Sequence, residues 1–354
     1  MCHTAFHPFL AAIPKCEHHM HLEGSLSPSL LFSLAKRNSI TLPSTAEDPS
    51  FASPTTLLER YERFTSLEDF LQLYYIGMRV LLHEQDFEAL AWEYFCKAKE
   101  DGVAHAEVFF DPQAHTGRGV TYKTVVDGFV KACRRAEKEL GMTTMLIMCF
   151  LRHLPAKEAQ AIFNEAKKDL LDGTLAGVGL DSSEVGFPAE LFKTVYQSAT
   201  DAGIRRTAHA GEEGDADMIR GAIQHLNIER IDHGIRMAGD EALMTEVAEK
   251  GYLVTMCPLS NVRLQCVKNV GELPIRKFLE KGISFSINSD DPAYFGGYIL
   301  DNYCAVQEAF ALSVQEWGAI ATAAVKKSWC DNERKAKILG ILDNVLVEYK
   351  GLSV

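Results

Sequence analysis

The sequence has no C-x-x-C pair, no apolar stretch long enough to cross a membrane, no surplus of basic residues and no internal repeat. Each absence removes a class of protein. The nine Cys stand singly at positions 2, 16, 96, 133, 149, 257, 266, 304 and 330, several within apolar runs, so they read as buried reduced thiols rather than a disulfide framework. The longest apolar core, Met145 to Leu151, is far short of the ~20 residues a membrane helix needs. The opening MCHTAFHPFL has neither a basic nor a long apolar region, so no signal peptide is expected. Lys and Arg total 36 against 48 Asp and Glu, a formal net charge of -12. That leaves no broad basic face for nucleic acid or an anionic membrane and favours a small neutral or cationic substrate. The expected location is the cytoplasm, with the nucleus as the alternative.

What is present is a rhythm. The 354 residues, 47% of them hydrophobic, can bury one large core, so a single domain over 1–354 is the default reading. After a first strand within Ile13–Ser25, Ser27 or Ser25 caps a helix running to about Arg37. A loop over 40–54 and two or three helices to about residue 101 then form an insertion. The insertion's aromatic stripes read as core packing, with a lid over a site as the alternative. From Val103 onward, apolar runs alternate with helices over Thr121–Leu140, Pro155–Leu171, Pro188–Ala202, Ala216–Leu226, Asp240–Glu249 and Ile275–Glu280. Gly141, Gly173, Gly203, Gly251 and Gly282 close most of the later helices. Eight strand-like runs in alternation predict an α/β fold, a (β/α)8 TIM barrel with a helical insertion after strand 1 and C-terminal helices.

Polar residues gather where the apolar runs end. In IPKCEHHMHLEGS (13–25), His19 and His21 are two apart and project from one face if the run is a strand, while His18 points to the opposite face. The other ends are RRTAHAGEEG (205–214), RIDHGIR (230–236) and FSINSDDP (285–292). A parallel barrel builds its site from such strand ends. His19, His21, His209 and Asp290 supply three imidazoles and a carboxylate. This set suits zinc first and iron, manganese or cobalt by the same ligands. His3, His7, His83, His105, His115, His153 and His225 have no such partners and are read as bystanders. Glu212 follows His209 through two small residues and is the candidate general acid/base, ahead of Glu213.

These motifs resemble those of the adenosine/adenine/AMP deaminase family of the amidohydrolase superfamily. The resemblance is carried by PKCEHHMHLEGS (14–25), TAHAGEEG (207–214), DHGIR (232–236), CPLSNVRL (257–264) and SINSDDP (286–292), in the family's order. It implies one Zn²⁺ held by His19, His21, His209 and Asp290, and Glu212 protonating purine N1. It further implies His233 orienting the nucleophilic water, Asp290 taking that water's proton and Asp291 holding N7. The fourth strand ends LDSSE without Lys, so no bridging carbamylated lysine and no second metal is expected.

Two departures from the adenosine pattern bear on the substrate. HLEGS carries Glu23 where adenosine deaminases typically have Asp, and LDSSEVG carries Ser182, Ser183 and Glu184 where they have D-L-A-G-D-E. Both resemble adenine deaminases, and a fuller sugar side implies free adenine converted to hypoxanthine, with Glu184 accepting N9–H. Adenosine is the alternative substrate. AMP would need a basic cluster that is not evident beside these motifs. The H-x-E with P-C-x-x-C of base-editor-type deaminases is missing, and a catalytically inactive, partner-binding barrel would have lost residues that are all present. Oligomeric state is not legible.

Overall fold

The computed structural model describes residues 5–353, so Cys2 and His3 lie outside the described residues. Eight parallel strands follow in chain order, each paired with the next: β1 Lys15–Glu17, β2 Val103–Phe110, β3 Thr143–Leu151, β4 Gly177–Asp181, β5 Arg205–Ala210, β6 Arg230–His233, β7 Leu253–Met256 and β8 Ser284–Ile287. Helices cover the outside, so strands buried on both faces read as nearly continuous apolar runs. The TIM barrel expected from the alternation is what forms.

The first strand is shorter than the apolar and His-rich run suggests. It ends at Glu17, and the following residues are stitched between two neighbours. Asp290 N–H donates to His19 O (3.0 Å) and His21 N–H to Asp290 O (2.9 Å). On the other side Phe109 N–H donates to Met20 O (2.8 Å) and Leu22 N–H to Phe109 O (2.9 Å). The H-x-H segment is therefore the seam that draws β8 and β2 together at the C-terminal mouth of the barrel.

The outer helices follow their apolar periodicity. Tyr122–Leu140 buries Val125, Val126, Phe129, Ala132, Cys133 and Ala136, about 1.5–3 kcal/mol for each large side chain, and ends at Gly141 in the left-handed conformation. Pro28–Arg37 starts at Ser27, whose side chain accepts the Leu30 N–H. The segment expected as one helix over 188–202 divides into a 3-10 turn, Ala189–Phe192, and a helix, Lys193–Asp201. In the insertion, a 3-10 turn Pro49–Ala52 falls within the expected loop, and helices Pro54–Tyr61, Leu67–Met78 and Glu84–Glu100 follow. Three C-terminal helices, Ile299–Phe310, Val314–Lys327 and Asn332–Glu348, complete the chain. Between the last two, Trp329 packs with Phe109, Ile147 and Cys149, and its ring faces Arg205 and Arg230 at the starts of β5 and β6. It closes the barrel's N-terminal floor.

Candidate active site

At the mouth, His19, His21, His209 and Asp290 bring their donor atoms within 4.8 Å of one another, and all four are buried. His19 Nε2 is 3.1 Å from Asp290 Oδ1, His21 Nε2 is 3.2 Å from His209 Nε2, and His21 Nε2 is 3.5 Å from Asp290 Oδ1. Zinc–nitrogen bonds of 2.0–2.1 Å around a tetrahedral centre place neighbouring donors about 3.3 Å apart. The spacing and the donor set fit a zinc ion, and buried His19 Nε2 has no hydrogen-bond partner. A second grouping adds Cys257 to His19, His233 and Asp290. Burial raises the Cys257 thiol pKa well above its ordinary value, so it competes poorly as a ligand.

The His19 imidazole is oriented from behind. Thr255 Oγ1 bonds His19 Nδ1 (2.8 Å) and Asp232 Oδ1 (2.8 Å), and Asp232 Oδ2 accepts from Thr207 Oγ1 (2.5 Å). Asp232 also lies 3.9 Å from both His19 Nδ1 and His209 Nδ1. Such partners set the tautomer and raise ligand basicity. Phe109 packs at 5.0 Å, centroid to centroid, on both His19 and His21. His18 lies away from this cluster, bonded to Ser286 Oγ and Ser328 Oγ.

Beside the cluster, His233 Nε2 is 3.5 Å from Glu212 Oε2 and 3.8 Å from Asp290 Oδ2, and Asn261 Nδ2 is 3.3 Å from His233 Nδ1. Glu212 Oε1 is buried without a partner, as is Asp291 Oδ1. Burial first, then the Asp290 charge, raises both carboxyl pKa values well above the ordinary range. Asp290 goes the other way: burial alone would raise its pKa, but His19 outweighs it and holds the carboxylate ionised. Two glycines permit this arrangement. A Cβ on Gly24 would sit 2.1 Å from Asp291 Oδ1, and Gly211, at φ 76°, turns the chain after β5 so that Glu212 faces inward. His233, Asp290 and Ser182 have positive φ without being glycine (63°, 63° and 72°), strain of order 1–3 kcal/mol each that collects at functional positions.

These groups open on a small cavity at the barrel mouth. One wall comes from the helix Leu67–Met78, whose Leu67, Phe70, Leu71, Tyr74 and Tyr75 line it at helical spacing. The insertion's aromatic stripe is thus both core and roof.

The sequence model described as Adenosine deaminase matches residues 14–345. The chain belongs to the adenosine deaminase family. It is 56% identical over 351 residues to an adenine deaminase of Schizosaccharomyces pombe, covering 99% of this chain and 95% of that protein. It is 56% identical to one of Aspergillus fumigatus, covering 97% and 98%. Among solved structures it resembles the adenine deaminase of Arthrobacter aurescens, with a TM-score of 0.89 and 41% identity over 96% of this chain and 100% of that one.

Within this family's barrel, three of the four residues expected on the sugar side, Glu23, Ser183 and Glu184, are not on the cavity wall. Glu184 is fully buried and accepts backbone N–H groups from Gly211 (3.2 Å), Glu212 (3.0 Å) and Gly214 (3.0 Å). Its charge holds the turn that aims Glu212, which corrects the reading of Glu184 as the N9–H acceptor. Ser183 turns to Glu213 (3.4 Å). Glu23 Oε1 accepts from Asp111 N–H (3.1 Å) and bonds His115 Nε2 (2.8 Å). Only Ser182 of that group lines the cavity. His115 and His153 are therefore more than bystanders: His153 Nδ1 bonds Ser182 Oγ at 2.8 Å. The residues the sequence reading missed are Asp111 and Asp181, at the ends of β2 and β4, which line the cavity beside His21. A signal existed for Asp111, since Asp111-Pro112 ends β2 as Asp291-Pro292 follows β8.

Proposed function

We propose that this chain hydrolyses adenine to hypoxanthine and ammonia using one zinc ion, as an enzyme of purine salvage. The observation that carries the chemistry is the convergence of His19, His21, His209 and Asp290 with Glu212 and Asp291 on one buried cavity. The choice of adenine is supported by relatives named adenine deaminase that match nearly the whole chain at 56% identity. Zinc is supported by a Burkholderia ambifaria amidohydrolase, solved with bound Zn, that is 26% identical with a TM-score of 0.87 and covers 99% of this chain.

His19, His21, His209 and Asp290 would hold the ion. A bound Zn²⁺ supplies a water acidic enough to act as nucleophile near neutrality. Asp290 would accept a proton from that water, and His233, 3.8 Å from Asp290, would orient it. Glu212 enters in its acid form and protonates N1, which makes C6 electrophilic. Asp291 holds N7 so that C6 faces the attacking oxygen; the proton taken up by Asp290 passes to the amino group, the C6–N bond breaks with loss of ammonia, and the oxygen's remaining proton returns to Glu212 as the C6 carbonyl forms. The reduced cysteines and the absence, among the described residues, of a helix long and apolar enough to cross a membrane fit the cytoplasm as its location. Ammonia release from adenine, adenosine and AMP tests the reading: adenine should give the highest kcat/KM, and a higher value for adenosine would overturn the substrate while leaving the deaminase chemistry.

A further inference from the structure

With Glu184 committed to the turn after β5, nothing assigned so far reads the ring edge where free adenine differs from adenosine. The free base carries one polar hydrogen apart from its reacting amino group. With N7 held by Asp291, that hydrogen is on N9.

The wall beside His21 holds a carboxyl with one oxygen open as an acceptor. Asp111 is 2% exposed, lines the cavity, and its Oδ1 has no hydrogen-bond partner. It occupies the N-cap position of the helix Pro112–Thr116, where an Asp side chain ordinarily accepts a backbone N–H, yet it makes no such bond. Asp291 repeats this arrangement at the start of Pro292–Phe295: an Asp before Pro, no capping bond, and a partnerless Oδ1 on the cavity. The basic groups of the region bond elsewhere, although Arg152 Nε and the cavity-lining Tyr74 and Tyr75 hydroxyls are, like Asp111 Oδ1, without a partner. Arg152 Nη2 donates to His209 O (2.5 Å), Arg118 bonds Leu81 O and His115, and His115 bonds Glu23. Asp181, within 4.8 Å of Asp111, is a second carboxyl rather than a counter-charge; burial first, then the Asp181 charge, raises the Asp111 pKa, and the two carboxyls bond to each other while Asp111 Oδ1 stays open as an acceptor. A buried acceptor facing a cavity and left unpaired is costly, so its donor is expected to arrive with the ligand.

We propose that Asp111 is the residue that selects the free base, accepting the N9–H of adenine and rejecting N9-substituted purines. This rests on the reading of the chain as an adenine deaminase. A nucleoside brings a carbon to the same point, which removes the hydrogen and leaves the carboxyl unpaired. A site built to receive a polar hydrogen discriminates strongly against the analogue that lacks it. Asp181, 3.6 Å from His21 Nδ1 through Oδ2, is better placed to orient that imidazole.

The test compares adenine with 9-methyladenine, which keeps the reacting ring and lacks only the N9 hydrogen. kcat/KM is measured for both on the zinc-loaded wild-type protein, Asp111→Asn and Asp111→Ala, with zinc content and melting temperature determined for each. Wild type should prefer adenine by about a hundredfold or more. Asp111→Ala should lower the adenine value at least tenfold and leave 9-methyladenine equal or improved. Asp111→Asn should fall between, since its amide oxygen still accepts. A preference retained within twofold in Asp111→Ala, or a parallel loss on both substrates, overturns the assignment. So does a second metal ion per chain that disappears in Asp111→Ala, which would give the carboxyl to a cation held with His21 and Asp181. A wild-type protein inactive on adenine but active on adenosine defeats the proposed function itself and this inference with it. An adenine-active protein whose preference survives the substitution loses only the role of Asp111.

Discussion

The barrel has buried charge at both ends, and the two ends treat it oppositely. At the floor, Glu107 on β2 is bonded through both oxygens: Oε2 to Arg230 Nη2 (2.6 Å), Oε1 to His105 Nε2 (3.0 Å) and to the Trp329 N–H (2.5 Å). The Arg230 guanidinium in turn lies 4.4 Å from the centroid of the Trp329 ring. At the mouth, His209 Nδ1, Glu212 Oε1, Asp291 Oδ1, Asp181 Oδ1 and Asp111 Oδ1 are buried with no hydrogen-bond partner. One strand spans the contrast, since Arg230 and Asp232 sit two apart on β6 and project to the same side. Charge that serves the fold is paired, though Arg230 Nε is left without a partner. Charge that serves a ligand is left open, and proton affinities follow: Arg230 outweighs burial to keep Glu107 ionised, whereas Glu212 and Asp291 are pushed toward the acid form.

Breaking the two ends should therefore cost different things. The largest expected effect is at the mouth. His209→Ala removes one of four donors, so zinc measured by elemental analysis should drop well below one per chain and ammonia release should fall to background, with the fold retained. Full zinc occupancy in this variant would take His209 out of the ligand set. Next is Glu212→Gln, which is nearly isosteric and not a ligand. Turnover should fall by about 10²–10⁴-fold with zinc content and melting temperature unchanged. Near-normal turnover would move the acid role to another group.

At the floor the same kind of change should act on stability instead. Glu107→Gln leaves Arg230 buried without its counter-charge, at a cost of about 3–5 kcal/mol. Denaturant titration should show that loss, while kcat/KM per folded, zinc-loaded molecule stays near wild type. The pH dependence carries a sign. Burial alone would raise the Glu107 pKa, but Arg230 and then His105 pull it well below the ordinary 4.5. Its contribution is complete above about pH 4.5 and fades as the pH falls through the folded-state value, so the gap between wild type and variant should narrow in acid. A gap constant down to low pH would mean that packing, not charge, is what Glu107 provides.

Much of the mouth is legible in the sequence because strand ends impose direction. His19 and His21 fall on one side by the alternation of the bridged segment that continues β1 past Glu17, and the eight-fold rhythm says that the other strand ends meet them. What is not legible lies just past the strands, where alternation stops. The positive φ of Ser182, His233 and Asp290 has no mark in residue type. Glu184, read as facing the sugar, turns to the 211–214 segment because the backbone N–H groups there need an acceptor, and Ser183 donates its hydroxyl to Glu213. Asp111 went unread because β2 looked like core.

The smallest expected effects sharpen that last distinction, between a carboxylate that meets substrate and one that builds the turn beside it. Glu184→Gln removes the charge and leaves one oxygen where two received three N–H groups, so at least one buried donor loses its partner, at about 1–3 kcal/mol. The turn carrying Glu212 should loosen. Because Glu184 lies off the cavity wall, the loss should fall on kcat, by about tenfold, with KM for adenine little changed. Ser183→Ala is the companion: its bond to Glu213 is long, 3.4 Å, and only partly buried, so activity should stay within about twofold. If Glu184→Gln instead raised KM for adenine with kcat intact, the carboxylate would be a substrate contact after all, and the open and closed ends of the barrel would not be separated as cleanly as their hydrogen bonds indicate.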